Sequence, residues 1–294
     1  MGQPSPQQTL QVDDRVLDGP HGSLPVRIYR PAEALGPGMV WVHGGGFVEG
    51  DIDMAEAHWV STALAERGIT VVSVDYRLAP LPADWVVPGR AVREEGVRFP
   101  VAHDEVVFAH AWALGAGLAP GPWALGGASA GGNLAAGAVL ELLHEGGPVP
   151  AFVFLAYPTV HALQRPHSAE LTAALADTPQ ERRFTPEVIR TMYENYLGPG
   201  VDVDTAPIRA IPGLASAEEL AGHPRTLVIN SERDDLRTSG EAYAEVLSAA
   251  GVDVTLLTEP GTFHGHLNNP DEPAAERSID VVARELLRSA AQQS

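Results

Sequence analysis

Trp123-Ala124-Leu125-Gly126-Gly127-Ala128-Ser129-Ala130-Gly131-Gly132 is the stretch whose reading decides the fold of this chain. The apolar run Trp123 to Gly126 reads as a buried strand, and Gly131 to His144 reads as a helix. Between them lies Gly127-Ala128-Ser129-Ala130-Gly131, a G-x-S-x-G pentapeptide that puts a serine on a tight strand-to-helix elbow. Such a turn holds the serine in strained backbone geometry, so its neighbours on either side must lack bulk. Gly127, Ala128, Ala130 and Gly131 are all small. The residues are common ones, and the pentapeptide gains its meaning from what surrounds it.

Working outward, strand-like runs alternate with helical patterns. The expected strands are Gln11 to Val16, Leu24 to Tyr29, Met39 to His43, Thr70 to Asp75, Trp123 to Gly126, Phe152 to Ala156, Thr226 to Asn230 and Val252 to Leu257. The last six are mostly apolar without clean alternation, as strands covered on both faces are. The first two read as an antiparallel edge hairpin. Helices are expected over Ala55 to Arg67, Ala102 to Leu114, Gly131 to His144, Pro186 to Leu197, Gly240 to Ala250 and Ala274 to Ala291, with Gly68 and Gly251 as C-caps. This alternation predicts one three-layer α/β domain spanning residues 1–294, with residues 1–10 as a loose tail. Two segments break the pattern, 81–98 and 161–204. Long excursions at strand ends tend to cover the site, so both are expected to form a cap or lid.

A serine nucleophile needs a base, and the base needs an orienting acid. His264 follows the last strand after a turn over Glu259 to Phe263, and Asp234 follows the strand before it through Ser231-Glu232-Arg233. Both fall on the same rim as Ser129, in the order Ser, Asp, His. His43-Gly44-Gly45-Gly46 ends the strand Met39 to His43, where successive glycines let backbone N–H groups approach a developing negative charge. Gly44, Gly45 and Ala130 are the expected oxyanion donors.

The chain resembles the hormone-sensitive-lipase-like branch of the α/β-hydrolases, bacterial esterases carrying the HGGG motif. The matching stretches are His43 to Phe47, Asp75-Tyr76-Arg77-Leu78-Ala79-Pro80, Ser129-Ala130-Gly131-Gly132-Asn133-Leu134-Ala135, Asp234-Asp235-Leu236-Arg237 and Phe263-His264-Gly265, in family order from about Gln11 onward. The resemblance implies an α/β-hydrolase fold with an eight-stranded, mostly parallel sheet and a small cap. It implies Ser129 as nucleophile, His264 as base and Asp234 as acid. The expected function is that of a serine carboxylesterase cleaving short-chain soluble esters through an acyl-enzyme. A non-catalytic binder on the same scaffold and an amidase or deacetylase are the alternatives.

Two departures stand out. Ala128 occupies a position where the family usually has Asp, and Leu81 one where it has Glu. Their joint loss suggests that a polar network at the elbow has given way to apolar packing. The 81–98 segment is also longer than in the family, whereas the helical segment before the first strand is nearly absent.

Neighbouring residues have competing readings. Asp235 is an alternative acid. His266 with His264 forms a His-x-His pattern, but without a third strong ligand it reads as a pocket or surface residue, and no metal is expected. His43 is expected to orient the glycine loop, Asp75 and Arg77 to pair structurally, and Asn133 to support the elbow or start its helix. Phe47, Trp85, Tyr193, Tyr196 and Phe263 are candidates for the substrate pocket, each as readily placed in the core.

Composition narrows the chemistry. The chain has no cysteine, which excludes disulfides, thiolate metal sites and cysteine nucleophiles. It has no lysine, which excludes a phosphate-loop lysine, a pyridoxal Schiff base and serine–lysine dyads. A formal net charge of −19 disfavours nucleic acid and anionic membranes as partners. No cofactor is expected, the partner is a small-molecule ester, and a homodimer is compatible with the reading. The first residues carry neither a basic region nor an apolar core, so a cytoplasmic location is expected.

Overall fold

The computed structural model describes residues 9–81, 85 and 95–293 of the 294-residue chain. Its spine is an eight-stranded sheet of β1 (Gln11–Gly19), β2 (Gly22–Arg30), β3 (Gly38–Val42), β4 (Thr70–Val74), β5 (Trp123–Ala128), β6 (Phe152–Ala156), β7 (Thr226–Arg233) and β8 (Val254–Phe263), in the order β1-β2-β4-β3-β5-β6-β7-β8. β1 pairs antiparallel with β2, and β2 with β4. All pairings from β4 across to β8 are parallel.

Around the sheet lie α1 (Ala55–Glu66), α2 (Val101–Gly115), α3 (Ala130–His144), α4 (Ala169–Ala174), α5 (Pro186–Leu197), α6 (Arg237–Ala249) and α7 (Pro273–Gln293). β3, β4, β5 and β6 are buried at every position. The reason is that helices cover both faces, so an uninterrupted apolar run is the stable sequence. Alternation persists in which core each residue enters. Val40 and Val42 join the cluster with Val106, Leu134 and Leu247 of α2, α3 and α6, whereas Met39 and Trp41 join Leu64 and Ile279 of α1 and α7.

Register brings the functional rim into line. Val42 lies opposite Gly127, Ala128 opposite Ala156, and Ala156 opposite Ile229. His43, Ser129 and Tyr157 therefore leave the sheet side by side at the carboxyl ends of β3, β5 and β6, with Asp234 and His264 following β7 and β8.

The last two strands differ from the sequence expectation. The segment Glu259 to Phe263 is not a turn: β8 runs through it, and β7 continues to Arg233, which pairs with Phe263 across a register shift. Pro260 is tolerated because β8 is an edge strand, and Gly261 takes φ +73° while donating its N–H to Glu232 Oε2 at 2.7 Å. Pro-Gly here marks a bulge that aims the chain toward His264.

The excursion 161–204 contains α4 and α5, whose first turns are capped by Ser168 and Thr185. Of the 81–98 segment, Leu81 packs in the core and Val97 N–H bonds the Leu78 carbonyl; residues 82–84 and 86–94 lie outside the described residues. Asp75 and Arg77 do not pair with each other. The Arg77 guanidinium and backbone N–H both go to Glu105, a fully buried carboxylate on α2 that needs them more.

Candidate active site

Ser129 sits between β5 and α3 with φ 51° and ψ −115°, a conformation that side chains rarely adopt. Close packing holds it there. A Cβ on Gly127 would collide with the Gly131 carbonyl, and one on Gly131 with the carbonyls of Val42 and His43. Only glycine permits these approaches. Ser129 N–H donates to the Ala156 carbonyl at 2.9 Å, so the elbow is also pinned to β6.

The structure brings Ser129, His264 and Asp234 together. His264 Nε2 is 2.9 Å from Ser129 Oγ, and His264 Nδ1 is 2.7 Å from Asp234 Oδ2. Asp234 is fully buried, and its other oxygen accepts the Leu236 N–H at 2.9 Å. Burial alone would lower the His264 imidazole. The charge and hydrogen bond of Asp234 outweigh it, with Glu56 and Asp235 adding, and hold the ring above its ordinary value. Tyr157 and Phe184 pack edge-on against that ring, with centroids 5.0 and 4.7 Å away.

The oxyanion expectation needs one correction. Gly44 N–H does not face the serine; it donates to the buried Glu56 Oε1 at 2.7 Å. Buried N–H groups take the nearest acceptor, and a carboxylate is a strong one. Gly45 and Gly46 line the cavity instead, at φ +113° and +58°. Among the described residues, neither their N–H groups nor that of Ala130 has a protein acceptor.

Asp235 and His266 stand apart from the serine. Asp235 receives both Arg183 Nε and Nη2 at 2.8 Å and the Phe184 N–H at 2.9 Å. His266 is neither a pocket nor a surface residue, being buried between Ser231 Oγ and Ser278 Oγ, each at 2.9 Å. Its burial pushes the imidazole down to about 3. His43 bonds its own loop through Nδ1 and the Gly44 carbonyl at 2.7 Å and stacks on Tyr76, with burial holding it at about 4. Asn133 Nδ2 donates to Tyr193 Oη at 2.9 Å, joining α3 to α5.

A cavity of about 520 Å³ opens above Ser129 and His264. Trp85 stands on its wall, and the excursion 161–204 contributes Arg182, Phe184, Val188 and Met192. The four other pocket candidates lie elsewhere. Phe47 and Tyr196 are buried, stacked on each other at 4.0 Å. Tyr193 is fully buried, donating its hydroxyl to the Thr159 carbonyl at 2.6 Å. Phe263 is held between the guanidinium groups of Arg182 and Arg233. Each is an aromatic large enough to stabilise the scaffold beneath the site by burial.

The sequence reading missed Glu56, Tyr157 and Asn268. Glu56 Oε2 accepts the Tyr157 hydroxyl at 2.5 Å and Asn268 Nδ2 at 3.0 Å. A polar network therefore persists behind the elbow, although Ala128 and Leu81 themselves pack in apolar clusters as expected. The available signal was Glu56 itself, in helical register with the buried Val60, Ala63 and Leu64 of α1.

A sequence profile of the α/β-hydrolase fold matches residues 39–84 and 96–268. Carboxylic ester hydrolase LipN of Mycobacterium tuberculosis is 36% identical over 272 residues, covering 90% of this chain and 66% of LipN. Carboxylesterase NlhH of the same species is 34% identical, covering 88% of this chain and 76% of NlhH. The chain thus spans about two thirds to three quarters of the length of these relatives. Among solved structures, an esterase of Pyrobaculum calidifontis superposes with a TM-score of 0.77 at 30% identity, covering 95% of this chain and 85% of that one.

Proposed function

We propose, from the premise that this chain belongs to the α/β-hydrolase family in its hormone-sensitive-lipase-like branch, a family of carboxylic ester hydrolases, that it cleaves short-chain soluble esters through an acyl-enzyme on Ser129. One observation carries the reading: the unbroken hydrogen-bonded chain from Ser129 Oγ through His264 to Asp234. A buried serine hydroxyl beside an imidazole, itself held by a buried carboxylate, is the arrangement that general-base activation of a serine requires.

In this reading His264 Nε2 takes the hydroxyl proton as Ser129 Oγ attacks the ester carbonyl. The Gly45, Gly46 and Ala130 N–H groups receive the oxyanion at the N-terminus of α3, whose dipole favours negative charge there. Each donor is worth about 3 kcal/mol in the transition state. The imidazolium then gives its proton to the departing alcohol. Water, activated by the same ring, cleaves the acyl-enzyme. Asp234 fixes the proton on Nδ1 and stabilises the imidazolium.

The excursion 161–204 acts as a small cap. Arg183 latches it to Asp235, and Phe184, Val188 and Met192 turn apolar surface toward the serine. A 520 Å³ cavity closed on that side suits a short acyl chain in a soluble ester. Among the described residues, no helix is long and apolar enough to cross a membrane.

Hydrolysis of p-nitrophenyl esters from acetate to palmitate, by wild type and Ser129→Ala, tests the proposal. Activity that peaks at short chains and disappears in the variant supports it. Activity surviving in Ser129→Ala overturns it.

A further inference from the structure

Glu56 is an acidic group outside the serine, histidine and aspartate whose carboxyl is pushed above its ordinary value by burial, against the hydrogen bonds it accepts. It is a carboxylate 2% exposed, without an Arg partner among the described residues, lodged behind the glycine loop. Isolated buried carboxylates are costly unless several donors satisfy them. Three donors do so here: Gly44 N–H at 2.7 Å, Tyr157 O–H at 2.5 Å and Asn268 Nδ2 at 3.0 Å. Each belongs to a different part of the site. Gly44 begins the glycine loop, Tyr157 packs on His264 from the end of β6, and Asn268 lies four residues beyond His264.

Resting on the esterase reading above, we propose that Glu56 is a positioning residue, clamping the glycine loop and the His264 loop in mutual register from behind the elbow. It acts through Gly44: with that N–H drawn inward, the loop turns so that Gly45 and Gly46 face Ser129. Trp41 Nε1, donating to the Glu56 carbonyl at 2.7 Å, fixes the residue in turn. Tyr157 carries the same clamp to the histidine by bonding Glu56 through its hydroxyl while its ring meets the imidazole edge.

Glu56 and Ala128 adjoin the same glycine. A Cβ on Gly44 would meet Glu56 Oε1 at 2.6 Å and the Ala128 carbonyl at 3.1 Å, so the carboxylate and the residue before the serine both adjoin the same glycine. Ala128 packs in the cluster containing Trp41, Tyr157 and Leu267, on the face of the sheet from which Glu56 approaches. A carboxyl group at 128 would enter that same buried cluster, adding a second acidic group with no cation among the described residues there to satisfy it. The acidic group of this site stands on α1, and the residue before the serine carries only a methyl.

The clamp predicts a reversal of sign that a space-filling role does not. Glu56→Ala lowers kcat about tenfold to a hundredfold, the scale set by displacing a reacting group by an ångström, and leaves KM nearly unchanged. Ala128→Asp lowers kcat in the wild-type background but raises it in the Glu56→Ala background. Wild-type kcat in Glu56→Ala, or Ala128→Asp lowering kcat in both backgrounds, overturns the proposal. Should Glu56→Ala fail to fold, Glu56→Gln decides. It keeps the size but turns an amide N–H toward existing donors; full kcat overturns the clamp, and reduced kcat at unchanged Tm supports it. Stoichiometric phosphonate labelling of wild-type Ser129, run in parallel, separates the two readings. Labelling with an active Glu56→Ala sinks the clamp alone, and no labelling sinks the esterase reading beneath it.

Discussion

Asp234 and Asp235 are neighbours in the chain with opposite commitments: Asp234 Oδ2 meets His264 Nδ1 at 2.7 Å, whereas Asp235 is held by Arg183 and the Phe184 N–H on the capping excursion. One peptide unit thus joins the orienting acid to the cap. We predict that Asp234→Asn lowers kcat by about 10⁴, as removal of a histidine-orienting carboxylate does. Asp235→Asn should lose far less in kcat. Steady-state kinetics on both variants checks the ranking, and the reverse order would move the assignment to Asp235.

The latch itself gives a second prediction. Arg183→Ala removes the bidentate pair and leaves Asp235 buried with the Phe184 N–H and a distant His167 ring at 3.7 Å. Loosening the cap should raise KM and flatten selectivity among acyl lengths, with kcat for acetate changed less. Unchanged selectivity with a lower Tm would make the pair structural only.

Gly45 supplies a third. Its φ of +113° and its approach to the Glu49 carbonyl leave no space for a side chain. Gly45→Ala should therefore displace the loop and cost about 10² to 10³ in kcat, the loss expected when an oxyanion donor is removed. Near wild-type kcat in a folded Gly45→Ala protein would exclude this N–H from the oxyanion hole.

Acidity separates activity from stability. As the base, His264 must be neutral, and its folded value is raised, so the acid limb of kcat/KM should lie above the ordinary imidazole midpoint of about 6.5. In Asp234→Asn, with burial no longer outweighed, that limb should shift to lower pH. A pH–rate profile for each protein reads the shift, and an unmoved limb would detach it from the His264–Asp234 pair.

Folding stability should also fall on acidification, but through other histidines and for the opposite shift. Burial lowers His43, His110, His161 and His223 to about 4 and His266 to about 3. Between those values and about 6.5 the unfolded chain binds more protons, so stability rises with pH there. Each of these histidines contributes up to about 1.4 kcal/mol per pH unit. His264, being raised, contributes stability below about pH 6.5 that is lost as pH rises through its folded value, and it opposes the other five. The Tm should therefore fall steeply from pH 7 to pH 5. A flat Tm across that window would contradict the burial of these rings.

The fold was legible because the parallel strands are mostly apolar, β3 to β6 being buried at every position, and the elbow needs small residues. Both constraints are written in local sequence. Ser129, His264 and Asp234 were legible because each follows a strand that the pattern located, although β5, β7 and β8 run further than it placed them. Gly44 was misassigned because the direction of a backbone N–H depends on its nearest buried acceptor, and Glu56 is twelve residues away on a helix. Phe47, Tyr193 and Phe263 were ambiguous for a related reason. An aromatic residue near a motif has the same composition whether it lines a cavity or supports the loop that does. The β8 edge shows a third limit, since Pro-Gly reads as a turn unless the missing neighbour strand is known.

Intact-protein mass spectrometry after treatment with a serine-directed phosphonate, with peptide mapping, tests the acyl-enzyme on Ser129 most directly. We predict a single adduct on Ser129, forming in step with loss of ester hydrolysis and absent in Ser129→Ala and strongly slowed in His264→Ala. An adduct elsewhere, or hydrolysis that persists after Ser129 is fully modified, would contradict it.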